Sequence, residues 1–292
     1  MYTNIQRHDI TQEEYFALPG ISNSDVSLFY RSPSRYKAKL DGLPEERTTK
    51  PMLMGSAFDT LLLEPHLFER NYFVMPAGII SPSSAMQERL VDAMMLDYGM
   101  GEAFDYAGYK NPNPKTWNDL KPWVDMRLSA GRRATISNED YHNLKRMLDS
   151  VRDNPAASQA VSESEAQVVF TATHEETGLE VKGMLDLLGP DYVADIKTTG
   201  EEVYRFPAKL FRYDYDRQMG HYTALAGLDC GRFIAVEREH LNECDCIELS
   251  WERLDAGRRK MDRALKDIKA SSADNYTHRA HHYTNGGWRV LL

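Results

Sequence analysis

Residues 178–200 read GLEVKGMLDLLGPDYVADIKTTG. From Leu179 to Leu188 the run is apolar, broken by Lys182 and Gly183. Gly189-Pro190-Asp191 reads as a turn, because Gly and Pro punctuate strands and Asp favours turn starts. Tyr192 to Lys197 is short, β-branched and aromatic, and Thr198-Thr199-Gly200 ends it, so the whole stretch predicts a β-hairpin. Side chains alternate along a strand, which puts Asp195 and Lys197 on one face and turns Ile196 into the core. The turn folds Asp186 back to within side-chain reach of Asp195. Two carboxylates converging on one face repel each other unless a cation lies between them, and hard oxygen ligands with open positions suit Mg²⁺ or Mn²⁺. The ammonium of Lys197 can orient a nucleophilic water or stabilise charge on a phosphate oxygen. Alone, D-x-K reads more simply as a surface ion pair; the preceding Asp in an adjoining strand is what brings a metal site into contention.

Outward from the hairpin the period stays at two. Residues 165–173, EAQVVFTAT, predict a strand, and with the hairpin they make an antiparallel meander. Downstream, residues 201–211 and 214–228 read as helices, the first interrupted at Pro207. The second carries Gln218 and Tyr222, four apart and therefore on one face. Strands at 231–237 and 244–249 and a long charged helix at 251–270 follow. Upstream, Thr11 to Glu14 resembles a capping box before a short helix. Ser22 to Asp25 offers N-caps for a helix with Val26, Phe29 and Tyr30 on one face, and Ser32-Pro33 restarts a helix. A loop holds Pro44. Residues 51–64, PMLMGSAFDTLLLE, form an apolar helix in which Asp59, four after Gly55, is the sole charge before Glu64. Such a carboxylate is costly to bury unless paired or metal-bound, and otherwise sits on the outer face. Residues 76–130 read as an insertion or a flexible wall with one helix at 84–97. Residues 134–137 predict a strand, and helices follow from 137 to 152 and from Pro155.

The chain has 292 residues, 42% hydrophobic and 27% charged, enough for one large domain or two small ones. Its net charge of −9 argues against a surface coated with basic residues for nucleic acid and leaves room for a local basic groove. No run approaches the ~18–20 apolar residues of a membrane span, and the first residues begin no signal peptide, so a cytoplasmic protein is expected. Cys230, Cys244 and Cys246 form no CxxC pair and fall short of the four thiolates of an iron–sulfur cluster. The tail, with His278, His281, His282 and Trp288, fits no zinc spacing and reads as solvated.

Asp186, then Asp195-Ile196-Lys197, then Gln218-x-x-x-Tyr222, resembles the PD-(D/E)xK nuclease superfamily in its RecB-like branch. The segments ISNSDVSLFYRSPSRY at 21–36, GSAFDTLLLEP at 55–65 and GMLDLLGPDYVADIKTT at 183–199 narrow the resemblance to RecE-type exonuclease domains, the exodeoxyribonuclease VIII family. It covers about 21–251 and is weakest over 76–130. The resemblance implies an α/β (α+β) restriction-endonuclease-like core, a central mixed sheet with an antiparallel meander flanked by helices. It implies a single nuclease domain over 1–292, with a helical N-terminal part (1–75), a variable insertion (76–130) and a catalytic core (131–270).

By the same resemblance, Asp186 and Asp195 would be metal ligands with the Ile196 carbonyl, Mg or Mn the cofactor, and Lys197 the residue that orients the water. Gln218 and Tyr222 would lie beside the site and position DNA or Lys197. The implied activity is 5′ to 3′ degradation of linear double-stranded DNA in phage or bacterial recombination. A ring-shaped homo-oligomer and a single-strand annealing recombinase are the implied partners. Two positions depart from the family: Leu185 stands where Pro is usual, and Asp59 stands where the upstream helix carries a histidine ligand. Asp is a harder ligand than imidazole and competent for Mg²⁺, and a third carboxylate raises the negative charge. That change motivates a rival reading, a catalytically weakened DNA-binding or structural protein that keeps the fold. Glu165 either joins the same site or stays exposed.

Overall fold

Short capping signals start the first helices where the sequence predicts them. In the computed structural model, which describes residues 1–43, 49–273 and 276, the chain opens with strand β1 (Tyr2–His8) and then helix α1 (Gln12–Ala17). Thr11 and Glu14 cap α1 reciprocally: the Glu14 carboxylate accepts from the Thr11 amide at 2.8 Å, and Thr11 Oγ1 accepts from the Glu14 amide at 3.2 Å. Ser22 and Asp25 repeat the device on α2 (Asn23–Arg31), and Ser32-Pro33 begins α3 (Pro33–Leu40). The apolar helix is α4 (Lys50–Leu63). Strand β1 corrects the expectation of a wholly helical N-terminal part. It is a mostly exposed strand with a bulge between Thr3 and Gln6, so its polar residues show no clean alternation. Pro44 and the tail histidines lie outside the described residues.

Residues Glu64–Lys145 form a compact unit of their own. It contains α5 (Phe68–Asn71), β2 (Tyr72–Val74), α6 (Ala85–Met95), α7 (Met100–Ala107), α8 (Pro114–Ala130) and β3 (Ala134–Ile136), with β2 and β3 pairing in parallel. The stretch 76–130 thus carries three helices where the sequence suggested one, and Leu90, Phe104 and Leu120 are fully buried in its core. Its Gly and Asn residues act as helix punctuation rather than as loop: Gly108 closes α7 in the left-handed conformation, and the Asn113 side chain caps α8 ahead of Pro114.

The other unit, Met1–Leu63 with Arg146–Leu292, holds the main sheet. Helix α9 (Asn138–Asp153) leads into it, followed by α10 (Pro155–Glu163), β4 (Glu165–His174), β5 (Glu180–Leu188) and β6 (Val193–Thr199). A short 3₁₀ turn precedes α11 (Phe206–Arg212) and α12 (Tyr215–Ala226); β7 (Gly231–Glu237), β8 (Cys244–Glu248) and α13 (Trp251–Ala273) complete it. The strand order is β1-β4-β5-β6-β7-β8. Every neighbouring pair is antiparallel except β6 and β7, which are parallel because the α11–α12 segment crosses over between them. The antiparallel meander is the one that the sequence predicts, and the mixed α/β sheet is the one that the resemblance implies. Helices α12 and α13 share its core, where Val193, Met219, Leu225, Phe233, Leu254 and Leu265 are buried.

Two glycines set how closely α12 and α13 approach. A Cβ on Gly257 would lie 1.9 Å from the Asp216 carbonyl oxygen, and one on Gly220 would lie 2.5 Å from the Arg258 nitrogen. Among the described residues no helix is long and apolar enough to cross a membrane. The three cysteines are free thiols.

Candidate functional site

The hairpin forms, and then it opens. Gly189 N–H donates to the Tyr192 carbonyl at 2.9 Å to close the turn, and β5 pairs β6 at Leu188↔Val193 and Leu187↔Ala194. The next pair in register would be Asp186 opposite Asp195, and there the ladder stops. The Ile196 amide instead donates to Asp186 Oδ2 at 2.9 Å. A side-chain carboxylate thus replaces the strand carbonyl, and the two strands part at the carboxylates.

Asp195 is 1% exposed. Its Oδ1 accepts from Gln218 Nε2 at 2.9 Å, and the same amide group lies 3.2 Å from the Tyr222 hydroxyl. Its Oδ2 is buried and ion-paired with Lys197 Nζ at 2.5 Å, with no other partner among the described residues. Lys197 also lies over the Tyr215 ring, 5.1 Å from its centroid.

Helix α12 brings Gln218 and Tyr222 to this point by using its faces differently. Tyr215, Gln218 and Tyr222, at i, i+3 and i+7, face the site. Asp216, Arg217 and His221 anchor the helix. Lys260 Nζ reaches Asp216 at 2.9 Å, and Arg217 donates to Asn23 Oδ1 at 2.9 Å and to Ser27 Oγ at 2.6 Å. His221 is fully buried, and burial lowers its pKa to about 4. The neutral ring must donate from Nε2 to the Lys182 carbonyl, which can only accept, and so accepts at Nδ1 from the Tyr2 hydroxyl. Gly183 clears the way for the helix: a Cβ there would meet Leu225 Cδ1 at 2.7 Å and the Tyr222 ring at 3.2 Å.

Asp59 enters the same electrostatic field from α4. Gly55, one turn earlier, faces Thr198 of β6, its virtual Cβ 3.6 Å from Oγ1. Asp59 is half-buried, and its pKa is pushed up to about 7 by burial, with the Lys197 cation opposing and the Asp195 charge adding. The Asp186 pKa is raised well above the usual carboxylate range, first by burial and then by the negative charges of Asp195 and Asp59. Burial acts to lower the Lys197 pKa, but Asp195 and Asp186 outweigh it and keep the ammonium charged. Of the two positions open to Asp59, this is the one beside the other carboxylates and not the outer face. Glu165 goes the other way: it is exposed and ion-paired with Arg7, on the strand that the sequence did not reveal.

One lysine faces three carboxylates here. The donor set is hard oxygen, one buried carboxylate oxygen has only the Lys197 ammonium beside it, and two carboxyls are driven toward protonation chiefly by burial, with the Asp195 charge adding, so the residues fit a divalent cation. Among the described residues no three His, Cys, Asp or Glu side chains are gathered at ligating spacing. Lys197, clasped on Asp195, neutralises part of the charge instead. Tyr215 is the neighbour that sequence reasoning missed, although its spacing of three before Gln218 marks the same helix face.

A family model described as a PDDEXK-like domain of unknown function (DUF3799) matches residues 22–277. No curated protein sequence matches the chain. Among solved structures, a candidate exonuclease from Eubacterium rectale is similar with a TM-score of 0.57 at 11% identity, covering 97% of each chain. At that identity the likeness is one of fold. A phage-related exonuclease from Haemophilus somnus 129PT matches with a TM-score of 0.30 and 12% identity, over 64% of this chain and 95% of its own, a score too low to carry argument.

Proposed function

The chain belongs to the PDDEXK-like family whose model spans residues 22–277, and from that membership and the site geometry we propose that it is a metal-dependent deoxyribonuclease. The observation that carries the proposal is the fork at Asp186 and Asp195, where the ladder stops, Asp186 accepts from the Ile196 amide, and Asp195 meets both the Gln218 amide and the Lys197 ammonium. Asp59, Asp186 and Asp195 would hold Mg²⁺ or Mn²⁺ together with the Ile196 carbonyl. When bound, the cation would supply charge neutralisation at phosphoryl oxygens and acidity for a water. Lys197 would donate a hydrogen bond to that water or to the phosphate and stabilise the charge that develops there. Gln218 fixes the Asp195 carboxylate, and Tyr222 holds Gln218 in turn. We further propose, on the sequence resemblance, 5′ to 3′ exonuclease action on linear duplex DNA in recombination. Cytoplasmic location, a ring-shaped oligomer and an annealing recombinase partner belong to the same proposal.

The test is cleavage of linear and circular duplex DNA, labelled at the 5′ or the 3′ end, with Mg²⁺, with Mn²⁺ and with chelator. Metal-dependent loss of the linear form with early release of the 5′ label is the expected result. A second reading, a DNA-binding protein that keeps the fold without strong cleavage, draws on the Lys197–Asp195 clasp and on the absence of a gathered three-ligand cluster among the described residues. Binding to DNA without cleavage under any metal would select it.

A further inference from the structure

Past the site, β6 runs into a segment whose outer face alternates rings and cations. Residues 203–213 read VYRFPAKLFRY, with three cations, of which Arg205 pairs with Glu202 and Lys209 with Glu201, each at 3.4 Å. Phe206 and Leu210 anchor α11 in the core, while Tyr204, Phe211 and Tyr213 are 65%, 46% and 48% exposed. Each exposed ring carries a guanidinium: Arg205 on Tyr204 at 5.5 Å, Arg212 on Tyr213 at 5.6 Å, and Arg253 of α13 on Phe211 at 4.3 Å. The segment is tied to the site from its middle and from just beyond its end. Lys209 Nζ donates to Thr199 Oγ1 at 2.6 Å, two residues beyond Lys197, and Tyr215 lies against Lys197 itself.

Three solvated rings in a stretch of eleven residues are not what core packing requires, and the cations among them suit a polyanion. Aromatic faces that alternate with guanidinium groups match the two faces of a single-stranded nucleic acid, stacked bases and phosphates. A duplex keeps its base faces stacked inside, so only an unpaired strand offers them. We infer that Tyr204, Phe211 and Tyr213, with Arg205, Arg212 and Arg253, form a platform that holds single-stranded DNA beside the Lys197 site. The inference deepens the nuclease reading, on which its choice of DNA rests, and it names the part of the chain that handles an unpaired strand.

The experiment uses the full chain and a fluorescein-labelled single strand of about 12 nucleotides, within the usual range of a stacking site. Anisotropy is read with Ca²⁺ or chelator so that no cleavage intervenes. Each stacked ring contributes about five- to hundredfold in affinity. The combined variant Tyr204→Ala, Phe211→Ala, Tyr213→Ala should therefore lose at least about tenfold, and Tyr204→Phe with Tyr213→Phe should keep wild-type binding. The wild-type protein should bind an abasic strand of equal length as weakly as the combined variant binds DNA, a comparison that needs no variant to fold. Hydrolysis of bis(p-nitrophenyl) phosphate, too small to reach the platform, should be unchanged in the combined variant, while its cleavage of DNA falls. Wild-type affinity in the combined variant, equal binding of the abasic strand, or no binding of single strands by the wild-type protein would each overturn the inference. Binding as expected by a protein that cleaves nothing would leave the platform standing and remove the nuclease reading instead.

Discussion

Lys197 is ion-paired with Asp195, and its positive charge acts on Asp186 and Asp59 as well. Lys197→Ala should lower DNA cleavage by on the order of 10²–10³, with DNA affinity in Ca²⁺ little changed; wild-type cleavage by this variant would remove Lys197 from the chemistry. Asp59 gives a second expectation, with a sign fixed by linkage. Its folded pKa, about 7, lies above its unfolded value, so the folded state binds the extra proton and the associated stability is lost as pH rises through 7. In the absence of metal, Asp59→Asn should melt above the wild-type protein at pH 8, and the gap should narrow as pH falls below 7 and close only below about pH 4, where Asp59 is neutral in the unfolded chain as well. Mg²⁺ or Mn²⁺ at a hundredfold excess over its dissociation constant should stabilise the wild-type protein by about 2.7 kcal/mol, and the variant by less. Equal metal-induced shifts in melting temperature would make Asp59 a bystander. Asp59 was legible in the sequence because a single charge in an apolar helix demands a partner. Tyr215 was not, because one tyrosine at a helix start carries no mark of what it will touch.

At the scale of elements, glycines decide how α12 is held, and the two that matter most differ in what blocks a methyl group. At Gly257 the obstacle is backbone, the Asp216 carbonyl 1.9 Å from a Cβ; at Gly183 it is the flexible end of Leu225 and then the Tyr222 ring. Gly183→Ala should cost within the ~1–3 kcal/mol range of overpacking, and Gly257→Ala should cost more and displace α12 from α13. Urea unfolding of both variants tests the order, and a Gly257→Ala protein as stable as Gly183→Ala would contradict it. Because α12 carries Gln218 and Tyr222, the variant that moves it should also lose cleavage. Strands β4 and β5 could be read from period two, because burial alternates along part of each, whereas β6 and β7 are buried almost throughout and were marked by their β-branched and aromatic residues. Strand β1 could not: it is nearly all exposed and bulged, so no apolar alternation records its pairing with β4. The opening of the hairpin was also hidden, because the sequence brings Asp186 and Asp195 together without saying that a side chain replaces a ladder bond there.

At the scale of the whole molecule, the chain is acidic, with 44 acidic against 35 basic residues, and a polyanion must be met locally or repelled. That constraint separates charge from stacking in a measurable way. For single strands each neutralised phosphate adds about −0.7 to the slope of log affinity against log salt, so the three guanidinium groups of the platform limit the slope to about −2. A surface that bound DNA by general basicity would give a far steeper line. Arg212→Ala should flatten the slope by about 0.7, whereas Phe211→Ala, which removes a ring and no charge, should shift the line downward at every salt concentration with its slope unchanged. The contrast follows from the physical origin of the two terms: counterions are released by neutralising phosphates and not by stacking bases. A slope near zero in the wild-type protein would mean that the guanidinium groups serve only their own rings. A Phe211→Ala line that flattens as Arg212→Ala does would mean that the ring acts by placing Arg253, not by stacking a base.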